Sequence, residues 1–138
     1  MSAKDRFHAA VKQALILEGW TITADPLLLR YGPTNLKIDL NAEKMIGAER
    51  GIEEIAIEIK SFLDPSTIND FHGAVGQYLH YKLGFTYNDW NRKLFLAVPA
   101  AIYAAEFHKP LFQDSIRTYG IKIITYTSEP AGIEQWIE

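Results

Sequence analysis

Cysteine is absent from this 138-residue chain, which removes disulfides, thiolate zinc sites and thiol nucleophiles at once. Long apolar runs are missing too, and none approaches the roughly 20 residues that a membrane-crossing helix needs. The opening stretch, MSAKDRFHAAVKQAL, is amphipathic and lacks the apolar core of a secretory signal. The expectation is a soluble, cytoplasmic protein with no membrane partner. Positive charge is scarce: 14 Lys and Arg stand against 17 Asp and Glu, for a formal net charge of -3. A dedicated nucleic-acid-binding module usually carries a basic footprint, so this balance weighs against one. It leaves room for a metal-dependent nuclease, in which a bound cation offsets the acids that hold it. Internal repeats, linkers and low-complexity segments are also lacking.

What is present is the material of a core. A hydrophobic fraction of 48% with 12% aromatics fits one packed domain over residues 1–138. Residues 3–18 read as a helix, with Phe7, Val11, Ala14 and Leu15 at helical spacing and Gly19 as its stop. Residues 20–23 and 27–31 read as strands separated by Pro26. The Gly32-Pro33 turn leads into a strand through LKIDL, and the polar stretch 41–51 reads as a short helix or excursion. A strand over 52–62 follows. A helix then runs from the Asp64-Pro65-Ser66-Thr67 start to about Leu83, with Gly84 just past its end and a stripe of Ile68, Phe71, Val75, Leu79 and Leu83. Residues 93–98 form an apolar strand, 100–119 a helix broken at Pro110, and 121–126 a last strand before the tail. The order predicts an α/β fold with a mixed central β-sheet flanked by helices on both faces.

Two stretches carry chemistry. In IAIEIKSF, Ile55, Ile57 and Ile59 point to one strand face, while Ala56, Glu58 and Lys60 point to the other. A carboxylate and an ammonium on one face of an apolar strand are costly without partners. In LKIDL, Leu36, Ile38 and Leu40 share one face and Lys37 and Asp39 the other. If the strands are neighbours, Asp39, Glu58 and Lys60 meet in one patch. Two carboxylates and a lysine suit a divalent cation beside a phosphodiester. Asp39 and Glu58 are the candidate ligands for Mg²⁺ or Mn²⁺, with the Ile59 carbonyl a third, and Lys60 stabilises phosphate charge or lowers the pKa of the attacking water. The plainer reading of Glu58 and Lys60 is a surface ion-pair ladder. On the following helix, Gln77 and Tyr81 lie four apart with Asp70 and Ala74 in line, and Gly73 and Gly76 nearby permit close approach. Their amide and hydroxyl can bond a phosphate or position the two carboxylates, although such a pair is also ordinary helix surface.

These residues in this order, Asp39, then Glu58-x-Lys60, then Gln77-x-x-x-Tyr81, after an amphipathic helix ending near Gly19-Trp20, resemble the PD-(D/E)xK restriction-endonuclease-like superfamily. Within it the chain resembles the XisH (fdxN-element excision controlling factor) family over nearly its whole length, through DRFHAAVKQAL, EGWTITADPL, the AEK at Ala42 to Lys44, AERG, IAIEIKSF, GQYLHY and the final QWI. The resemblance implies a nuclease-like fold and a role in programmed DNA excision during cyanobacterial heterocyst differentiation. It implies DNA, a site-specific recombinase and a companion controlling factor, XisI, as partners. It also implies metal ligands at Asp39 and Glu58, the catalytic lysine at Lys60, and an accessory pair at Gln77 and Tyr81. Ile38 stands where the superfamily's name has proline.

Other polar residues have blander readings. Asp5 and His8 lie on the first helix as surface or capping groups. Glu18 is in register with the apolar stripe, so it is a candidate to turn inward toward a metal, or else a helix-end carboxylate at the rim. His72, His80 and His108 show no ligand spacing beyond a doubtful 72/80 pair. Glu43, Lys44, Glu49 and Arg50 suit DNA or partner contacts, or a solvated loop. Trp20, Trp90 and Trp136 read as anchors, with Trp90 the best exposed contact. Against the nuclease reading stand two rivals: a non-catalytic regulator of recombination that binds DNA or the companion, and a self-associating scaffold forming a homo-oligomer.

Overall fold

Strand alternation and helix periodicity dictate two apolar faces on one sheet, and the chain covers both. The computed structural model describes residues 2–138 apart from Ala48 and Arg50. Among the described residues the elements are α1 (Ala3–Leu17), β1 (Thr21–Ala24), β2 (Leu27–Tyr31), β3 (Thr34–Ile38), β4 (Leu40–Met45), β5 (Ile52–Ile59), α2 (Thr67–Tyr87), β6 (Lys93–Pro99), α3 (Ala100–Glu106), α4 (Pro110–Tyr119), β7 (Lys122–Ser128) and β8 (Ala131–Ile137). Six strands form the main sheet in the order β1-β4-β5-β6-β7-β8, and β2 and β3 form a separate two-stranded sheet. β5, β6 and β7 run parallel, and the outer pairings are antiparallel. This is the mixed α/β sandwich expected from the sequence. No helix among the described residues is long and apolar enough to cross a membrane.

α1 begins at Ser2, whose Oγ accepts the Asp5 N–H at 3.1 Å. Its Val11 and Leu15 pack with Leu40, Ala42, Ile55, Ile57, Phe95, Ala97 and Ile124 on one face of the sheet. On the other face, Phe71, Ala74, Tyr78, Tyr81 and Phe85 of α2 pack with Ala56, Leu94, Leu96, Val98 and Ile123. Phe107 and Phe112, flanking the break at Pro110, close that core against Phe71, with ring centroids 5.4 Å and 4.2 Å from it. The split of Ile55 and Ile57 from Ala56 is the alternation read from IAIEIKSF.

Several expectations are corrected. The LKIDL segment is not one strand with Leu36, Ile38 and Leu40 on a common face: β3 ends at Ile38, β4 starts at Leu40, and the two belong to different sheets. Ile38 packs in the α2 core and Leu40 in the α1 core, so the chain bends at Asp39 to feed both. The polar stretch after it is no helix or excursion at first but strand β4, paired with β1 and β5. It tolerates a buried Asn41 because the Asn41 amide donates to Thr23 Oγ1 at 2.8 Å and to Glu54 Oε2 at 2.9 Å. β5 stops at Ile59 rather than 62, with Phe62 at φ 53 turning the chain away. The tail contains a full strand, β8, which pairs with β7.

α2 is rotated from expectation and runs past Gly84 to Tyr87. Its buried positions are Phe71, Ala74, Tyr78, Tyr81, Gly84 and Phe85, while Leu83 is exposed. Aromatic hydroxyls mislead a simple apolar count: Tyr78 is buried because its OH donates to the Leu94 carbonyl at 2.7 Å and accepts the Lys122 N–H at 3.0 Å. Gly84 is not a helix stop but a close-approach residue. A Cβ there lies 2.5 Å from Leu29 Cδ2 and 3.1 Å from Leu29 Cγ, and Leu29 is wedged in the core. Gly84→Ala should therefore destabilise by about 1–3 kcal/mol despite alanine's better helix propensity. Urea unfolding of Gly84→Ala, Leu29→Ala and the double variant checks this: the double variant should cost clearly less than the sum, and additive effects refute the wedge.

Candidate functional site

The bend at Asp39 leaves the β4 edge of β5 without a strand partner beyond Ile57, which pairs with Leu40. An unpaired, partly buried backbone N–H there is costly. The Asp39 carboxylate meets the need: Ile59 N–H donates to Asp39 Oδ2 at 2.7 Å. The contact is returned, since Asp39 N–H donates to Glu58 Oε1 at 3.3 Å. Each acidic residue is thus fixed by the other's segment. On β5's other edge, Lys60 N–H donates to the Ala97 carbonyl at 2.9 Å. A strand residue directs its own N–H and C=O to one edge, so the Ile59 carbonyl opens on the Asp39 side.

Glu58 is 7% exposed. Burial, then the neighbouring Asp39 charge, pushes its carboxyl up to about 7, against an opposing pull from Lys60. Lys60 Nζ lies 3.6 Å from Glu58 Oε2. The Tyr81 hydroxyl donates to the Lys37 carbonyl at 2.9 Å, anchoring the chain just before the bend. Burial first, then Glu58 and Asp39, raises this hydroxyl above its ordinary value, so it stays a donor. Tyr126 of β7 donates to the Lys60 carbonyl at 3.1 Å and holds the start of the next segment. Burial raises its hydroxyl likewise.

A cleft of about 200 Å³ opens beside this pair, lined by Asp39, Ile59, Lys60, Ser61 and Phe62 with Lys4, Phe7 and His8 of α1 and Asp70 of α2. The larger basin, about 640 Å³ around Trp90 and Arg92, does not include Asp39, Glu58 or Lys60. The smaller cleft is the one that holds the chemistry.

Asp39, Glu58, Ile59, Lys60 and Tyr81 therefore come together. Gln77 does not join them: it is exposed, and among the described residues its amide has no hydrogen-bond partner. Tyr81 lies in the core face of α2, not on a flank away from it. Glu18 does not turn toward the cleft; its Oε1 accepts the Trp136 indole N–H at 3.0 Å. Lys44 lies on β4 and donates to the Glu18 carbonyl at 2.8 Å. Arg50 lies outside the described residues. Trp90 is half-buried beneath the Arg92 guanidinium, 4.3 Å from its ring centroid. Lys4, Asp25 and Tyr126 were missed by sequence reasoning. No local spacing marks Tyr126, whose partner is 66 residues away.

The donor set is oxygen only. Among the described residues no group of three His, Cys, Asp or Glu is placed to hold a metal. Two carboxylates and a carbonyl still suit Mg²⁺, which retains several waters and uses one or two carboxylates. The raised Glu58 carboxyl fits the same reading, because two acids crowded in a dry site are relieved by a cation. The stability consequence has a definite sign. A carboxyl raised from 4.5 to about 7 stabilises the fold fully below the unfolded value, and this contribution is lost as pH rises through about 7. Glu58→Gln should gain on wild type across that window by up to about 1.4 kcal/mol per pH unit in metal-free buffer. Thermal melts from pH 4.5 to 8.5 check it, and a constant gap between the two proteins refutes it.

Comparison with known proteins places this chain in a family. A family model described as XisH protein matches residues 1–134. The chain is similar to the solved structure of an XisH family protein from Nostoc punctiforme PCC 73102, at 39% identity, covering 97% of this chain and 100% of that one, with a TM-score of 0.87. It is also similar to a fdxN element excision controlling factor protein from Anabaena variabilis, at 38% identity, covering 97% of this chain and 99% of that one, with a TM-score of 0.87. No curated protein matches. With the family model matched from end to near end and the same fold repeated at this identity, the chain belongs to the XisH family.

Proposed function

We propose that this chain is an excision controlling factor that hydrolyses DNA phosphodiester bonds at the Asp39–Glu58–Lys60 site. The single observation carrying this reading is the buried Glu58 carboxyl, which accepts the Asp39 N–H at 3.3 Å while the Asp39 carboxylate accepts the Ile59 N–H at 2.7 Å, with Lys60 at the wall of the adjoining cleft. An ion-pair ladder on an open sheet face does not require a carboxyl to be dry, and this one is. The relative from Anabaena variabilis bears the name of an element-excision controlling factor, and excision of an element needs breakage of the backbone. DNA, a companion controlling factor of the XisI kind and, indirectly, a site-specific recombinase are the proposed partners.

Asp39 and Glu58, with the Ile59 carbonyl, would hold Mg²⁺ or Mn²⁺. When bound, the ion polarises the phosphate and makes its water a stronger acid. The protein does the rest. The Asp39–Ile59 bond fixes one carboxylate while leaving Oδ1 for binding. Lys60 places its ammonium against the charge that grows on the phosphate oxygens. Tyr126 and Ala97 hold the Lys60 backbone, and Tyr81 holds the strand that delivers Asp39.

A second reading has its own support. The chain has a net charge of -3, and fewer than three acid or imidazole ligands gather at the site among the described residues. A regulator that binds DNA or the companion without cutting fits both.

Nicking of supercoiled and branched DNA in Mg²⁺ or Mn²⁺, with and without the companion, separates the two. Asp39→Asn, which keeps an acceptor for Ile59 N–H, and Lys60→Ala should each lower cutting by about 10²-fold or more while still unfolding in one cooperative transition. Absence of metal-dependent cutting by wild type in every condition moves the function to the regulator.

A further inference from the structure

The proposed hydrolysis leaves one role unfilled. Water must give up a proton as it attacks phosphorus, and the named carboxylates are badly placed to take it. Asp39 Oδ2 already accepts the Ile59 N–H and Glu58 Oε1 accepts the Asp39 N–H. Glu58 does not line the cleft, and a lysine ammonium offers no acceptor.

The opposite wall of the cleft supplies a group that can act. His8 of α1 lines it, one helical turn beyond Lys4. Asp25, just after β1, sits 2.7 Å from His8 Nε2 through Oδ1, and its Oδ2 accepts Lys12 Nζ at 2.8 Å. Desolvation pushes the Asp25 carboxyl up, but the bonds from Lys12 and His8 outweigh it and hold the carboxyl below its ordinary value. Asp25 is thus an anion that takes a proton-bearing Nε2. A neutral ring held this way keeps its lone pair on Nδ1. A carboxylate orienting an imidazole whose other nitrogen is free is the geometry of an activated general base. An exposed ion pair is the blander reading, but the ring lines the one described cleft that also contains Asp39 and Lys60.

Building on the hydrolytic reading, we propose that His8, positioned by Asp25, is the general base of this site. His8 Nδ1 takes a proton from the attacking water as its oxygen bonds to phosphorus. The phosphorus bond to the leaving sugar oxygen breaks, and that oxygen keeps the electron pair and is protonated by solvent. His8 then returns its proton to bulk water, so one water is consumed and nothing is oxidised or reduced. Lys12 acts at one remove, by sharing Asp25. The charged groups facing the ring are Lys4 and Lys12 of α1, Asp25 after β1, Asp39 and Lys60 across the cleft, and Asp70 of α2.

The test is the rate of Mg²⁺-dependent plasmid nicking from pH 5.5 to 9 for wild type, His8→Ala, Asp25→Asn and Lys60→Ala, with duplex affinity measured in Ca²⁺. His8 is half-buried on the helix surface, so melting of His8→Ala should match wild type. General-base loss should lower cutting by about 10²-fold or more, with duplex affinity within about twofold of wild type, and added imidazole should restore part of the lost rate. Asp25→Asn should lower the cutting rate at unchanged duplex affinity and, with His8 still present, gain nothing from added imidazole, which a merely structural contact does not predict. Cutting at the wild-type rate in His8→Ala, or a loss that imidazole does not restore, overturns the base assignment alone. No cutting by wild type overturns the hydrolytic reading, and this assignment with it.

Discussion

Everything at the site depends on one exchange of hydrogen bonds at the point where the chain passes from one core to the other. Ile38 is committed to the face under α2 and Leu40 to the face under α1, so the residue between them cannot stay in either sheet. The backbone that β5 then exposes must be paired by something else. Asp39 does this with its side chain, through Ile59 N–H, and gives its own N–H to Glu58. An alanine at this position leaves a buried donor unpaired, so the acid is structural before it is chemical. Fold and site share the same atoms.

The same exchange accounts for the electrostatics. Asp39 is pulled in to serve a backbone donor, and Glu58 is drawn beneath it by strand alternation. Two acids are thereby placed together in a dry setting, with Lys60 3.6 Å from Glu58 as partial compensation. Desolvation is the larger cost and like-charge proximity the second, which is why the Glu58 carboxyl moves up despite the lysine. A fold under selection for stability alone has a cheaper solution in an apolar residue beside Ala56 and Leu96. A buried acid with a raised carboxyl is what makes this position a candidate site.

Much of this was legible in the sequence, and the failures have identifiable causes. Strand period two is robust, so the division of Ile55 and Ile57 from Ala56 and Glu58 was readable, as were α1 and the break at Pro110. The LKIDL segment failed because strand period assumes one sheet, and at Asp39 the chain changes sheets. α2 failed in rotation because Tyr78 and Tyr81 are core residues whose hydroxyls find backbone carbonyls, while Leu83 is left outside. With the face misplaced, Gln77 was paired with Tyr81, though only Tyr81 is turned inward. Gly84 has the composition of a helix stop, and only Leu29, 55 positions earlier in the chain, reveals its packing role. β8 was lost because AGIEQWI has weak alternation, and its apolar residues gain their burial from β7 and α1. The Asp25–His8 contact spans 17 residues and lies beyond any local pattern.

The cleft's two walls have different origins, and this has a consequence for how the site works. Asp39, Ile59 and Lys60 sit on the central strands, held by ladder bonds and by Tyr126, so their positions are set by the core of the fold. Lys4 and His8 belong to the first turns of α1, whose start is secured by the Ser2 cap and which is anchored by Phe7 against Tyr126, their ring centroids 6.1 Å apart, and by Val11 and Leu15 further along. Helix ends open at lower free energy than central strands. Asp25, tied to both His8 and Lys12, adds a second link between this part of α1 and the segment after β1. The two walls are therefore held differently, one by the ladder bonds of the sheet and the other by a helix start and side-chain contacts, so the Lys4–His8 wall is the one that yields first when the fold opens locally.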